Sequence, residues 1–227
     1  MMDTVALHKY ETSRGVEAFS TQRDSVLPYP VITGHQVHGT KIAVIDRPGM
    51  TRDELEGYDA FITTLTGVAI GVRTADCVPI LLYDLDAHVV AAVHAGWKGT
   101  VQMIATKTIN MLAQRFNSKP ENVHAILGPS ISPDSFQVGE EVVKYFKAQG
   151  FPLDSIWFFN EGEGESPMHH GHHIDLWKAN TWLLEQSGVN PDNIQVAGID
   201  TYSDASFFSA RREGAECGRI ISAISLL

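Results

Sequence analysis

The chain has 227 residues, 44% hydrophobic and 19% charged, enough to bury a sizeable core in one large domain. No apolar run approaches the ~20 residues of a bilayer span, and Met1 to Tyr10 lacks a basic stretch followed by an apolar one, so neither a membrane partner nor a secretory signal is expected. Lys plus Arg is 17 against 27 Asp plus Glu, a formal charge of −10 that opposes binding to nucleic acid, and the two cysteines, Cys77 and Cys217, are too few for a disulfide framework and suit the reducing cytoplasm.

Residues 1–30 carry polar clusters, no clear period, and Pro28 and Pro30. They read as an irregular lead-in with room for one strand, ahead of a single domain over 31–227. From there β-like runs follow in series: Lys41 to Asp46, Asp59 to Leu65, Val68 to Ala75, Pro79 to Asp84 and His88 to Gly96. Their near-continuous apolar character points to strands covered on both faces. Between Trp97 and Phe116 the period changes to three- and four-residue steps, an amphipathic helix. A strand at Val123 to Leu127, a helix near Gly139 to Ala148, a Gly/Glu/His-rich loop through EGEGESPMHHGHH, a helix over Asp175 to Gln186, and strands at IQVAGID and Arg219 to Ile224 complete the order. Strands in series and then alternating with helices predict an α/β class with mixed β-sheets and flanking helices.

Three segments place metal-competent side chains where a strand runs into a turn, two of them with glycine: HQVHG (His35 to Gly39), RTADC (Arg73 to Cys77) and VHAGWKG (Val93 to Gly99). The thiolate of Cys77 with the imidazoles of His38 and His94 makes a three-ligand set that suits catalytic Zn²⁺, with a fourth position left for water or substrate. The same residues also read as a buried cysteine with ordinary core or surface histidines, or as a dyad in which Cys77 is a nucleophile and His94 or His38 its base. Spacing alone does not choose among these.

The words HQVHGT, RTADCVPI, AAVHAGWKGT, ILGPSIS, FQVG and FFSARREG..CGRI stand in that order across Val31 to Ile220. In them the chain resembles the bacterial laccase-domain family, variously called copper polyphenol oxidase, peptidoglycan editing factor and zinc-dependent purine nucleoside phosphorylase. The resemblance implies a four-layer α/β/β/α fold, a metal site at His38, Cys77 and His94, and phosphorolysis of adenosine, inosine and methylthioadenosine with adenosine deamination beside it. The chain departs from the family pattern in a shorter N-terminal segment, in Ala210 for the aromatic of FFSYRR, in Cys217 before Gly218-Arg219, and in Asp200 where a cysteine is usual.

Around this set, Arg73 is a candidate for holding phosphate by paired N–H donors, and Arg211 and Arg212, after Phe207-Phe208, for clamping phosphate beside a purine stacked on an aromatic ring. Asp76 is a candidate for orienting a ligand imidazole. His169, His170, His172 and His173 form a His-rich run that reads as an exposed loop, and Trp177 and Trp182 read as packing.

Among activities, a multicopper mechanism needs many more imidazole ligands than one His-x-His, His170-Gly171-His172, supplies. Zinc is therefore expected ahead of copper, with a purine nucleoside and phosphate as ligands. The alternatives are a Cys-His hydrolase acting on a cell-wall precursor, a copper-dependent polyphenol oxidase, and a non-catalytic zinc-binding module. The sequence does not specify an oligomeric state.

Overall fold

A computed structural model describes residues 7–162 and 170–227. The strands are β1 (Leu7–Lys9), β2 (Val16–Thr21), β3 (Val31–Ile32), β4 (Ile42–Ile45), β5 (Ala60–Thr63), β6 (Ala69–Thr74), β7 (Val78–Asp84) and β8 (Val89–Ala95). Helices α1 (Trp97–Val101) and α2 (Ile104–Phe116) follow, then β9 (His124–Leu127), β10 (Gln137–Val138), α3 (Glu140–Ala148), α4 (Leu153–Ile156), β11 (Trp157–Glu161) and β12 (His170–Ile174). The rest is α5 (Leu176–Gln186), β13 (Ile194–Val196), α6 (Ala210–Glu213) and β14 (Ile220–Leu226).

The protein is mixed α/β. A six-stranded sheet, ordered β13-β9-β7-β8-β5-β4, packs against a five-stranded sheet, ordered β1-β2-β14-β6-β3, and a separate three-stranded sheet, β10-β12-β11, adds Ile174 to the core beneath the helices. Alternation along the central strands explains the continuous apolar runs. In β8, Val89, Ala91, Val93 and Ala95 join the core beneath the helices, whereas Val90 and Ala92 join the core between the two sheets. Both faces are dry, so every position is apolar until His94, which continues the inter-sheet series. Helix α2 buries Ile104, Ala105, Ile109 and Leu112 on the other face. Truncating one such leucine to alanine typically costs about 3 kcal/mol.

Three expectations change. The lead-in is not irregular: β2 is almost wholly buried and pairs with β14 in the middle of its sheet. Its small and hydroxylated residues, with Ser20 bonded to Ser222 at 2.7 Å, hid the strand pattern. The helix expected over Trp97 to Phe116 is two helices, because Met103 takes a left-handed conformation (φ 63°) and re-aims the chain while the apolar period runs on. The supposed His-rich loop contributes β12, the central strand of the small sheet. Of the layers implied by the resemblance, α1, α2 and α5 cover one side. On the far face of the five-stranded sheet, Phe19 is covered by Tyr29 from the loop that follows β2, their rings 5.9 Å apart. No helix among the described residues is long and apolar enough to cross a membrane.

Candidate metal centre and adjoining cavity

The site forms where β6 and β8 end and β5 begins, beside the HQVHG loop. Gly34 admits that loop: a Cβ there would lie 2.5 Å from the Leu55 carbonyl oxygen and 2.8 Å from Phe61 Cζ. His38 then adopts the left-handed region at φ 60°, which a non-glycine residue seldom takes. Asp59 at the head of β5 stabilises it, its carboxylate accepting from the backbone N–H groups of Val37 (3.2 Å), His38 (2.9 Å) and Gly39 (2.8 Å). Three successive N–H groups turned on one anion form a backbone nest.

The structure brings His38, Cys77 and His94 together, with one ligand atom from each lying within 4.8 Å of the others. His94 is buried, Cys77 half-buried and His38 exposed, so the group opens on one side only. Asp59 Oδ1 also meets His94 Nδ1 at 2.8 Å, leaving Nε2 for the centre of the group. Burial pushes the Cys77 thiol up, but the charge and hydrogen bonds of His94 and His38 outweigh it and leave the thiol at about 6. His94 moves the other way: burial lowers it, and Cys77 and Asp59 raise it to about 9.

These residues fit a borderline metal ion. Gly96 keeps the space between them open, since a Cβ there would come within 2.8 Å of Cys77 Sγ and 3.1 Å of His38 Cδ2. Two nitrogens and a thiolate match a three-ligand catalytic zinc site, and no other such His/Cys/Asp/Glu group occurs among the described residues.

Beside the group lies a cavity of ≈ 420 Å³, lined by His35, Gln36, Arg52, Arg73, Thr74 and Arg219 among others, including all three ligand residues. This size suits a small organic ligand. Arg73 stands in it half-buried, its guanidinium without a hydrogen-bond partner among the described residues. Burial, and then the nearby charges of Arg52 and Arg219, hold it below the usual arginine range.

Other candidates stand elsewhere. Asp76 does not orient an imidazole: its carboxylate accepts from Thr201 Oγ1 and from the Arg211 backbone N–H, each at 2.7 Å, tying the RTADC turn to the opposite wall. Asp59 has the orienting contact instead, because β5 pairs with β8 and sets Asp59 beside His94. Arg212 is no phosphate clamp: its guanidinium holds the carbonyls of Thr201 (2.7 Å), Tyr202 (2.6 Å) and Phe207 (2.6 Å) and the Glu213 carboxylate (2.8 Å). Arg211 likewise donates to the carbonyls of Ser135 (3.4 Å) and Gln137 (3.0 Å) over the Phe136 ring. Phe207 is buried, and Phe208 lies under the Arg23 guanidinium at 4.3 Å.

In the His-rich run, His169 lies outside the described residues. His172 Nδ1 accepts from Trp157 Nε1 at 3.1 Å, and His173 is buried with its Nδ1 2.9 Å from the Pro133 carbonyl. Trp177 donates to Ser130 Oγ at 2.7 Å, and Trp182 packs on Phe151. Asp59, Gln36, Arg52 and Arg219 are the site residues sequence reasoning missed. Asp59 had one signal, a carboxylate at the head of an otherwise apolar strand.

The chain belongs to the family described as multi-copper polyphenol oxidoreductase laccase, whose model matches residues 10–227. Within it, the chain is 40% identical over 209 residues to a protein of Bacteroides thetaiotaomicron named purine nucleoside phosphorylase, covering 89% of this chain and 75% of that one. It is also 40% identical over 201 residues to adenosine deaminase RL5 of an unknown prokaryotic organism, covering 86% and 74%. Among solved structures, YlmD from Geobacillus stearothermophilus matches with a TM-score of 0.79 at 26% identity, covering 94% of this chain and 92% of that one. The Bacillus licheniformis protein YfiH matches the fold with a TM-score of 0.86 at 23% identity, covering 100% and 98%.

Proposed function

We propose that the chain is a zinc-dependent purine nucleoside phosphorylase of the cytoplasm, acting on adenosine, inosine and methylthioadenosine, with adenosine deamination as an accompanying activity. The observation that carries this reading is the Arg73 guanidinium, without a hydrogen-bond partner among the described residues, in the same cavity as the open His38–Cys77–His94 group. The names of the two 40%-identical relatives support the substrate class.

In phosphorolysis a phosphate oxygen bonds to C1′ of the ribose while the C1′–N9 bond breaks. Its electron pair leaves with the base, which takes up a proton. Arg73 would hold the phosphate by two N–H donors, fixing it against C1′ and lowering the entropic part of the barrier. Gln36 sets Arg73 in place, its Nε2 donating to the Arg73 carbonyl (2.9 Å) and its Oε1 accepting from the Arg73 N–H (2.8 Å). His38, Cys77 and His94 would hold zinc, which supplies Lewis-acid or water-activating chemistry when bound. Asp59 keeps His94 in the tautomer that presents Nε2. No carboxylate among the described residues lines the cavity, which favours an anionic co-substrate and leaves deamination without the glutamate other zinc deaminases use.

The test is metal content by mass spectrometry on tag-free protein, combined with phosphate-dependent release of ribose 1-phosphate before and after chelation and zinc restoration. About one zinc per chain, with turnover lost on chelation and regained with zinc, is the expected result. The Cys-His hydrolase reading is favoured by one feature, Cys77 lying between two imidazoles. It predicts a metal-independent activity abolished by iodoacetamide. Zinc without any nucleoside turnover would instead point to a binding module.

A further inference from the structure

Breaking the bond between ribose and a neutral purine leaves the electron pair on the base, so a positioned group must hand the base a proton. Among the described residues that line the cavity, only His35, His38, Cys77 and His94 carry side chains of a type that exchanges protons near neutral pH, because arginine stays charged and neither Gln36 nor Thr74 ionises. His38, Cys77 and His94 make up the metal-competent group. His35 is the one that remains, three residues before His38 at the start of HQVHG.

Its backbone is fixed on both sides. Gly34 sits against Leu55 and Phe61, the His35 carbonyl accepts from the Gly57 N–H at 2.8 Å, and Gln36 is bonded through both ends of its amide to the Arg73 backbone. The imidazole itself is exposed, so it lines the cavity where protons exchange with solvent. It stands between two groups of opposite charge from the β4–β5 loop: Arg52 Nη2 lies 3.3 Å from Nδ1, and Asp53 Oδ1 lies 3.4 Å from Nε2. Arginine can only donate, so the neutral ring accepts at Nδ1 and carries its proton on Nε2, toward Asp53. When Nδ1 takes a proton, the Arg52 donor is displaced and the ring keeps Asp53 as its counter-charge. Each protonation state therefore has a partner, as a group that must pass through both requires.

We propose that His35 is the proton donor to the departing purine. This rests on the phosphorylase reading and adds a catalytic residue which that reading leaves unassigned. As a phosphate oxygen bonds to C1′ and the C1′–N9 bond breaks, the His35 imidazolium gives its Nδ1 proton to a nitrogen of the base and becomes neutral. Monohydrogen phosphate sheds one proton on becoming an ester, and that proton recharges His35 from the solvent side. No net proton is gained or lost.

The test compares inosine with 7-methylinosine as substrates of the zinc-loaded full chain, wild type and His35→Gln, with phosphate in excess. Methylation places a positive charge on the base, which then leaves as a neutral molecule and needs no proton. His35→Gln keeps an acceptor for Arg52 but cannot carry a proton, so zinc content and Tm should match wild type. Its kcat on inosine is expected to fall by about 100-fold or more, as for a lost general acid, with KM within about threefold, while kcat on 7-methylinosine stays within about threefold. The ratio of the two rates within one preparation cancels any loss of folded or zinc-loaded chain.

An unchanged kcat on inosine overturns the proposal by placing the proton on another group. An equal loss on both nucleosides overturns it by making His35 structural. Cleavage of neither nucleoside by wild type refutes the phosphorylase reading and removes the proton step with it, whereas turnover of both by wild type with an unaltered ratio in His35→Gln refutes the proton step alone.

Discussion

The Asp59 carboxylate meets His94 Nδ1 at 2.8 Å while the same carboxylate accepts the backbone N–H groups around His38, so one buried side chain orients the His94 imidazole and holds the backbone that carries His38. Asp59→Asn keeps the volume but cannot serve all these donors. It is expected to lower zinc affinity by roughly 10- to 100-fold, read by competition with a chromogenic chelator. Asp59→Ala should also cost about 3 kcal/mol or more in urea denaturation, because it strands buried donors. Wild-type zinc affinity in Asp59→Asn would exclude the orienting role.

Gly96→Ala tests the geometry of the group from the other side. Gly96 has φ −67° and ψ 168°, which alanine adopts without strain, so the substitution acts through the contacts of its new Cβ with Cys77 and His38. Metal content should fall sharply and the cobalt-substituted protein should lose its thiolate absorption band. A normal band would mean the ligands move aside freely.

Arg73→Ala and Arg212→Ala should separate binding from architecture. Arg73→Ala is expected to raise KM for phosphate by about tenfold or more with little change in Tm, since its guanidinium bonds nothing among the described residues. Arg212→Ala releases the carbonyls of Thr201, Tyr202, Asp204 and Phe207 and should lower stability by about 2 kcal/mol or more in denaturant titration. The opposite pattern would restore Arg212 as the phosphate ligand.

Glu213 gives a pH dependence. Hydrogen bonds from Arg23, then from the Ser209 N–H and Arg212, outweigh burial and bring its carboxyl from 4.5 down to about 2. A folded-state value below the unfolded one means the stabilisation is present above pH 4.5 and is lost as pH falls toward 2. Tm should therefore drop over that interval more steeply in wild type than in Glu213→Gln. Parallel curves would show that the contact contributes nothing.

Much of the frame was legible because the central strands are dry on both faces. β5, β7 and β8 could be nothing but long apolar runs. His38, Cys77 and His94 stood out because each lies in a short motif where a strand gives way to a turn. What was hidden depends on pairing across long separations. Asp59 becomes an orienting group only because β5 lies beside β8, and Arg52 and Arg219 enter the cavity from loops with no local signal. Asp76, adjacent in sequence to Cys77, points away because its φ of 89° turns it toward Thr201. β2 was legible only as room for one strand, because its partner β14 is separated from it by nearly the whole chain.

That last pairing governs assembly. β14 lies between β2 and β6, so until Ile220–Leu226 joins, two strands of the five-stranded sheet each have an unsatisfied hydrogen-bonding edge. On a ribosome, the nascent polypeptide would carry both edges until β14 emerged. Such edges template intermolecular pairing, and contacts this distant in sequence form slowly. Yield during synthesis therefore depends on how those two edges are shielded in the interim, and a co-expressed holdase chaperone should raise it.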